Sequence, residues 1–323
     1  MECLEKSIKE LEAYLPPLTR RPDFDSFWSE SIAIARLNPL SPRIQPIDYP
    51  LPNIQVYDIS FLGFDSTRIH GWLLVPINSD SSKIPCLIHY HGFTGNRGLP
   101  FEFTPWLMLG AAVLSVDCRE QGGDTGNNAC YSHGMVSNVT CKGILDKNEY
   151  YFRAVYMDCL KAVDFAISRE EIDPSRIVIE GGSQGGALGM AVCAMDHRPA
   201  LAMLDVPSNS NLVARVEGAN GSFAAVFEYI RRRPEHADKA YETLSYFDVM
   251  NMAESITCPV YASVGLKDDV CPAKHYFASY NRIVSPKQIS VYPFNGHEGG
   301  GAAHQEKKLR FLAAWLSDNK RKI

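Results

Sequence analysis

The chain has 323 residues, of which 46% are hydrophobic and 21% are charged, and its formal net charge is −5. This composition predicts a globular protein with a sizeable core, arranged as one large α/β domain or two small ones. The weak acidity excludes the basic surface that attracts nucleic acid and the polybasic anchor that holds a protein at a membrane.

The cysteines and the amino-terminal residues indicate the cellular compartment. The nine cysteines follow neither a disulfide framework nor a zinc-type spacing, which is typical of reduced thiols in a cytoplasmic protein. Residues 1–15 mix Glu, Lys and Leu at helical spacing and lack the apolar stretch of a signal peptide. No apolar run is long enough to span a membrane. We therefore expect a cytoplasmic protein.

The first third of the chain changes character near residue 50. Residues 1–50 are predicted to form a helical extension, in which much of one set faces the core: Phe24, Phe27, Trp28, Ile32 and Leu37. The segment 54–61 alternates apolar and polar residues, as a half-exposed antiparallel edge strand does, and 69–76 is predicted to pair with it. Beyond this point, short apolar runs predict strands at 85–90, 111–116, 176–180, 201–205, 260–265 and 288–293, and helical patterns occupy 149–168, 184–196, 272–283 and 303–317.

This alternation predicts the fold class. Strands that alternate with helices after an antiparallel start favour an α/β protein with a mostly parallel, doubly wound sheet. Residues 207–250 interrupt the alternation with a mostly helical stretch, which predicts a small helical insertion near the active site. The chain shows no repeat and no linker, so we expect a single domain over 1–323.

One serine is surrounded by glycines directly after a predicted strand. Residues 181–185 read Gly-Gly-Ser-Gln-Gly, which is the G-x-S-x-G pattern of a nucleophile elbow between a strand and a helix. Side chains two residues before and after the serine would clash with the backbone in such a turn, so the glycines have a packing reason. Ser183 is therefore the candidate nucleophile.

A serine nucleophile needs a general base and an acid that orients that base. In this strand–elbow–helix context the acid and the histidine follow the serine in that order. Asp268 comes directly after the strand 260–265, and His297 follows the strand 288–293. Asp269 competes for the acid role, and one of the two aspartates is a candidate cap for the helix 272–283. We favour Asp268, because it comes first after the strand.

The tetrahedral intermediate of acyl transfer needs two backbone N–H donors. The residue after the nucleophile, Gln184, supplies one, and the loop 91–98 supplies the other, with Phe93 as the favoured donor. His89 and His91 flank a strand end, but no third ligand follows at a suitable spacing. We therefore expect no metal and no cofactor.

The motifs together resemble carbohydrate esterase family seven, the acetyl xylan esterase and cephalosporin C deacetylase family of α/β-hydrolases. The resemblance implies deacetylation of acetylated xylo-oligosaccharides and related small esters, without cofactor, by a cytosolic ring-shaped hexamer. It also implies substrate contacts by Phe93 and Pro207, and support of the active-site loops by Arg119 and Gln121. The likeness is carried by "FDSFW" (24–28), "IHGWLLVP" (69–76), "HGFTGNRG" (91–98), "GILD" (143–146), "GGSQGG" (181–186), "LDVP" (204–207), "TLSYFD" (243–248), "GLKDDVCP" (265–272) and "NGHEGGG" (295–301).

One position departs from the family pattern, which reads Arg-Gly-Gln where this chain has Arg119–Glu120–Gln121. A non-glycine residue is strained if the backbone has a positive φ there. A carboxylate near the oxyanion would also oppose the developing negative charge. We expect Glu120 to point away from the site while Arg119 and Gln121 keep their supporting role.

Two other interpretations remain open at this stage. The fold also carries peptidases and long-chain lipases, although the chain has no large extra domain and the stretch 228–242 is highly charged rather than apolar. A binding protein that has kept the fold is the second alternative, and Glu120 is its best support. An intact set of Ser183, Asp268 and His297 argues against it, but the presence of residues is not geometry.

Overall fold

The computed structural model describes residues 2–77, 83–133 and 138–320. These residues form one sheet of nine strands with helices on both faces. The strands are β1 (Arg43–Ile47), β2 (Ile54–Leu62), β3 (Arg68–Pro76), β4 (Ile84–Tyr90), β5 (Ala112–Val116), β6 (Ile172–Gly182), β7 (Pro199–Asp205), β8 (Val260–Gly265) and β9 (Lys287–Tyr292).

The strand order is β1-β2-β3-β5-β4-β6-β7-β8-β9. The pairs β1–β2, β2–β3 and β3–β5 are antiparallel, and every pair from β5 to β9 is parallel. The predicted fold class, a mostly parallel sheet that starts with antiparallel strands, is confirmed.

Two details of the amino-terminal prediction are wrong. Residues 43–47 form the strand β1, so the first 50 residues are not wholly helical, and β1 rather than β2 forms the edge of the sheet. The prediction failed because "RIQPI" contains Pro46, which cannot donate to a strand ladder. Proline is tolerated on an edge strand.

The helices lie between the strands in most of the predicted places. They are α1 (Glu2–Glu12), α2 (Phe24–Leu37), α3 (Thr104–Met108), α4 (Tyr151–Ile167), α5 (Gln184–Met195), α6 (Leu212–Glu217), α7 (Ala224–Arg232), α8 (Ala237–Phe247), α9 (Ala273–Tyr280) and α10 (Gly301–Lys320). Among the helices described, none combines the length of a bilayer crossing with the apolar character that such a crossing requires.

The core is divided by the sheet into two layers. Successive side chains of a strand point to opposite faces, so Ile88 packs in the layer that contains α4 and α5, whereas Leu87 packs in the layer that contains α3 and α10. Both side chains are fully buried, which explains why the central strands read as continuous apolar runs. The carboxyl ends of these strands carry the residues described next.

Candidate active site

Ser183 occupies the turn between β6 and α5. Its backbone has φ 56° and ψ −118°, a conformation that residues other than glycine rarely adopt. A Cβ atom on Gly185 would lie 1.8 Å from the carbonyl oxygen of Tyr90, and one on Gly181 would lie 2.8 Å from that oxygen. The two glycines therefore allow β4 to approach the turn that holds Ser183.

The structure brings Ser183, His297 and Asp268 into one hydrogen-bonded chain. His297 Nε2 lies 3.0 Å from Ser183 Oγ, and His297 Nδ1 lies 2.8 Å from Asp268 Oδ2. These three residues come from loops after β6, β9 and β8, which end at the same edge of the sheet. The arrangement can transfer a proton from the serine hydroxyl to the imidazole.

The surroundings of Asp268 keep it in one orientation. Its Oδ1 accepts hydrogen bonds from the amides of Val270 and Cys271, at 2.9 and 2.7 Å, which leaves Oδ2 for His297. Burial alone acts to raise the pKa of Asp268, but the hydrogen bonds from His297 and these amides hold it below its usual value. Asp269 is exposed, and α9 begins without a side-chain cap, so Asp269 takes neither of its candidate roles.

The carboxylate of Asp268 changes the basicity of His297. Its hydrogen bond to Nδ1 is the largest cause that raises the pKa of His297 above the usual 6.5, and the adjacent Cys271 acts in the same direction. Because the histidine lies half-buried beside this negative charge, it binds a proton more strongly than free imidazole does. That is the property required of a general base.

A cavity of about 310 Å³ opens in front of Ser183. Phe93 and Gln184 both lie in its wall, and in the described residues neither backbone amide donates to a protein acceptor. These two N–H groups are therefore available to a negatively charged oxygen beside Ser183. The lining includes Gly92, Phe93, Phe152, Ser183, Gln184, Ser208, Asn209, Arg215, Ser222, Val270, Cys271 and His297.

Gln121 connects the loop that carries Phe93 to Gln184. Its Oε1 accepts from the amide of Thr94, next to Phe93, at 2.9 Å and from Gln184 Nε2 at 3.1 Å. Its Nε2 donates to Gln184 Oε1 and to the Tyr151 hydroxyl, both at 3.0 Å. All four hydrogen-bonding positions of the amide group are used, so Gln121 fixes the loop 92–95 relative to the start of α5.

Arg119 is completely buried next to the loop residues that Gln121 holds. Its Nε and Nη2 bind the two oxygens of Asp158 at 2.7 and 2.9 Å, and its Nη1 binds Asp65 Oδ2 at 2.9 Å. The Tyr151 hydroxyl donates to the Arg119 carbonyl. We call Arg119, Gln121, Asp65, Asp158 and Tyr151 the loop brace.

Glu120 lies between two members of the loop brace but points away from the cavity. Its φ is 55°, a positive value that favours glycine, so the condition under which a non-glycine residue is strained here is met. The side chain is exposed, and its carboxylate accepts hydrogen bonds from Asn127 and Lys142. Although burial acts to raise the pKa of Glu120, these two partners hold it below its usual value.

The two histidines considered as a metal pair have protein partners. His89 binds Glu180. His91 donates through Nδ1 to the Gly92 carbonyl at 2.7 Å and accepts through Nε2 from the Cys118 amide at 2.8 Å. The two hydrogen bonds of His91 specify its neutral tautomer, with the proton on Nδ1, and orient the loop that carries Phe93. Within the described ranges, no cluster of three or more His, Cys, Asp or Glu is arranged to hold a metal ion.

Several residues at this site were not anticipated. Ser208, Asn209 and Arg215 come from the stretch 207–250, and no sequence pattern marks them as cavity residues. Cys271 Sγ lies 3.9 Å from Ser183 Oγ. The one feature of the sequence that indicated a place near the active site is its position three residues after Asp268. Pro207 is buried beneath the turn, packed against Gly186, so its contact with substrate stays a prediction.

Comparison with known proteins places the chain in a family. Residues 1–315 match the acetyl xylan esterase family. An acetyl esterase of Xylanibacter ruminicola, Axe7A, is 28% identical over 295 residues, which cover 88% of this chain. The match covers 65% of the Axe7A sequence, so this chain spans slightly less than two thirds of that relative.

Two solved structures agree with the sequence comparison. An acetyl xylan esterase from Paenibacillus sp. has 41% identity and a TM-score of 0.91, covering 95% of this chain and 98% of that one. Acetyl xylan esterase 1 from Thermoanaerobacterium sp. has 27% identity and a TM-score of 0.89 at the same coverages. These findings confirm the resemblance seen in the motifs: the chain belongs to the acetyl xylan esterase family of carboxylic ester hydrolases, with the α/β-hydrolase fold.

Proposed function

We propose that this chain is a serine carboxylesterase that removes acetyl groups from acetylated xylo-oligosaccharides and related small esters through an acyl-enzyme on Ser183. The observation that carries the proposal is the hydrogen-bonded chain Ser183–His297–Asp268 beside two available backbone amides. The names of the relatives support the acetyl ester as the substrate class. The chemistry requires no cofactor.

The first half of the reaction forms the acyl-enzyme. His297 Nε2 takes the proton of Ser183 Oγ while Oγ forms a bond to the carbonyl carbon of the ester. The carbonyl oxygen becomes negatively charged and accepts hydrogen bonds from the amides of Phe93 and Gln184. His297, held by Asp268 in the orientation seen here, then returns the proton to the alcohol oxygen as the ester C–O bond breaks.

The second half releases the acid. A water molecule replaces the alcohol, His297 Nε2 accepts one of its protons, and the oxygen attacks the acetyl carbon. The same two amides stabilise the second tetrahedral intermediate. Collapse breaks the bond to Ser183 Oγ, which recovers its proton from His297, and acetate leaves.

Hydrolysis of p-nitrophenyl acetate, butyrate and octanoate tests the proposal, with Ser183→Ala as the matched variant. We expect strong turnover of the acetate, a steep fall with acyl length, and loss of turnover in the variant. Equal, weak turnover by both proteins would show that Ser183 is not an activated nucleophile. A preference for the octanoate would favour a lipase.

The binding-protein alternative is separated by labelling. A fluorophosphonate reacts only with an activated serine, so a label on Ser183 supports the esterase and an unlabelled Ser183 supports a binding protein. The orientation of Glu120 toward Asn127 and Lys142 supports the esterase, because the carboxylate does not oppose charge on the oxyanion.

We also propose, from the family resemblance, a cytoplasmic homohexamer that accepts cephalosporin C among its esters. Light scattering during size-exclusion chromatography tests the assembly, and a monomer of 36.0 kDa would contradict it. Release of acetate from cephalosporin C tests the substrate, and cell fractionation tests the location.

A further inference from the structure

Arg215 is a buried cation in the wall of the catalytic cavity. It belongs to α6, in the helical insertion, and only 1% of its surface is exposed. Its Nη2 donates to the carbonyl of Val270 at 3.0 Å, and its guanidinium carbon lies 5.5 Å from the centre of the Phe223 ring. Its Nε has no hydrogen-bond partner in the described part of the chain.

No carboxylate of the described residues forms an ion pair with this guanidinium. Burial raises the pKa of Asp248, and the charge of Arg215 partly opposes that rise. The oxygens of Asp248, however, accept hydrogen bonds from three backbone amides at 2.7 to 2.9 Å, those of Asn211, Leu212 and Met250. Among the described residues, Arg215 therefore faces one carbonyl, one aromatic ring and the thiol of Cys271, whose pKa its charge helps to lower, and none of these is a carboxylate.

Such an arrangement is unfavourable for the protein alone. Burial removes a guanidinium from water, and the loss is recovered only when a negative partner and further hydrogen-bond acceptors are present. Arg215 has five N–H donors, and no carboxylate of residues 2–77, 83–133 or 138–320 accepts any of them. A negatively charged group that enters the cavity supplies the missing partner.

We propose that Arg215 forms an anion subsite, which selects esters whose alcohol part carries a carboxylate. This inference rests on the proposed function, because an acetyl group is uncharged and the carboxylate must then lie on the alcohol side. Ser208 and Asn209 line the same wall, where the Ser208 hydroxyl donates to Asn209 Oδ1 at 2.9 Å and Asn209 Nδ2 donates to the Tyr156 hydroxyl at 3.2 Å. A planar guanidinium binds a carboxylate through two parallel hydrogen bonds, which makes arginine more selective than lysine.

A matched pair of substrates tests the subsite: 3-acetoxybenzoate carries the carboxylate, and 3-acetoxybenzamide is nearly the same size and neutral. We expect the wild-type kcat/KM to favour the carboxylate. Arg215→Met should reduce the carboxylate-to-amide ratio by about tenfold or more, the usual worth of a charge-assisted hydrogen bond. Arg215→Lys should keep part of the preference.

Arg232→Met is the matched control. Arg232 lies on the neighbouring helix α7, is exposed, and pairs with Glu228. It removes the same net charge, and we expect it to leave the ratio unchanged. An equal reduction by Arg232→Met would attribute the preference to overall charge and overturn the proposal. A ratio that Arg215→Met leaves unchanged would also overturn it.

Equilibrium binding separates this inference from the proposed function. Ser183→Ala is titrated calorimetrically with the same two compounds, with and without Arg215→Met. Tighter binding of the carboxylate that disappears with Arg215→Met supports the subsite even if the wild type hydrolyses neither ester. Equal affinities for both compounds overturn the subsite even if the enzyme is an active esterase.

Discussion

Two arginines of this protein are equally buried but differ in their partners. Arg119, in the loop brace, is 0% exposed and binds the carboxylates of Asp158 and Asp65. Arg215, in the catalytic cavity, is 1% exposed and binds a carbonyl. The two side chains lose hydration to the same extent, yet among the described residues only Arg119 is paired with carboxylates.

The difference separates groups that hold the fold from groups that act on a ligand. The polar groups of the loop brace are used within the protein, as the four hydrogen bonds of Gln121 show. In the part of the chain that the structure describes, three donors of the cavity have no acceptor, namely Arg215 Nε and the amides of Phe93 and Gln184. Changes in the cavity should therefore affect rate and selectivity, and changes to the buried ion pairs of the brace should affect stability, with Gln121 joining the two regions.

The largest effect is expected from Asp268→Asn in the cavity. The variant cannot accept the Nδ1 hydrogen of His297 with a full negative charge, so the imidazole loses its orientation and the stabilisation of its protonated form. By analogy with other Ser-His-Asp hydrolases, we expect kcat to fall by about 10⁴-fold. Steady-state kinetics with p-nitrophenyl acetate measures this. A fall of less than tenfold would mean that Asp268 does not serve His297.

The pH dependence of kcat/KM examines the same pair. His297 acts as a base only when neutral, and the Asp268 carboxylate raises its pKa above 6.5. Activity is therefore lost as pH falls through the raised pKa, and the acid limb of the profile should have its midpoint above 6.5. A midpoint well below 6.5 would show that burial outweighs the carboxylate. Asp269→Asn, which changes an exposed carboxylate, is the control and should leave the midpoint in place.

Arg119→Met and Arg215→Met compare the two buried cations directly. The first leaves the buried Asp158 without its cation and should lower the free energy of unfolding by about 3–5 kcal/mol. Arg215→Met leaves no described carboxylate unpaired. It should therefore change the free energy of unfolding by no more than about 1 kcal/mol, and we expect a small increase in stability. Urea unfolding at one protein concentration measures both. Equal losses would remove the distinction between brace and cavity.

Gln121→Met lies at the boundary between the two regions. The variant keeps the volume but loses the bonds to Thr94 and Gln184, so the two oxyanion amides are positioned less well. Because these amides act on the transition state, kcat should fall by about tenfold while KM changes little. A rise in KM at constant kcat would instead indicate that Gln121 serves substrate binding.

The features predictable from sequence have local signals. Glycines surround Ser183, and Asp268 and His297 come directly after strands. These local signals were sufficient to predict that the three residues meet at one edge of a parallel sheet. The β1 strand was missed because Pro46 masks a strand pattern. A proline argues against a strand except at the edge of a sheet. The sequence alone does not show which strand will lie at the edge.

The resemblance implied the supporting role of Arg119 and Gln121, but the partners of Arg119 and the buried position of Arg215 have no local signal. Arg119, Asp65 and Asp158 are distant in sequence, and their contact depends on how two loops pack against the helix α4. Arg215 lies in a short helix of the irregular stretch 207–250, where most charged residues face water. Tertiary packing decides whether the side chain of such a residue faces the interior. The hydrophobic periodicity of the sequence does not predict that packing.

Glu120→Gly is expected to have the smallest effect. The substitution relieves the positive φ of 55°, and it removes the exposed contacts to Asn127 and Lys142, so the two contributions to stability oppose each other. Since the carboxylate already points away from the oxyanion amides, kcat/KM should change by less than about tenfold, or 1.4 kcal/mol. Kinetics with p-nitrophenyl acetate measures this. A gain of several hundredfold would mean that Glu120 restrains the loop brace, and that the brace controls rate as well as stability.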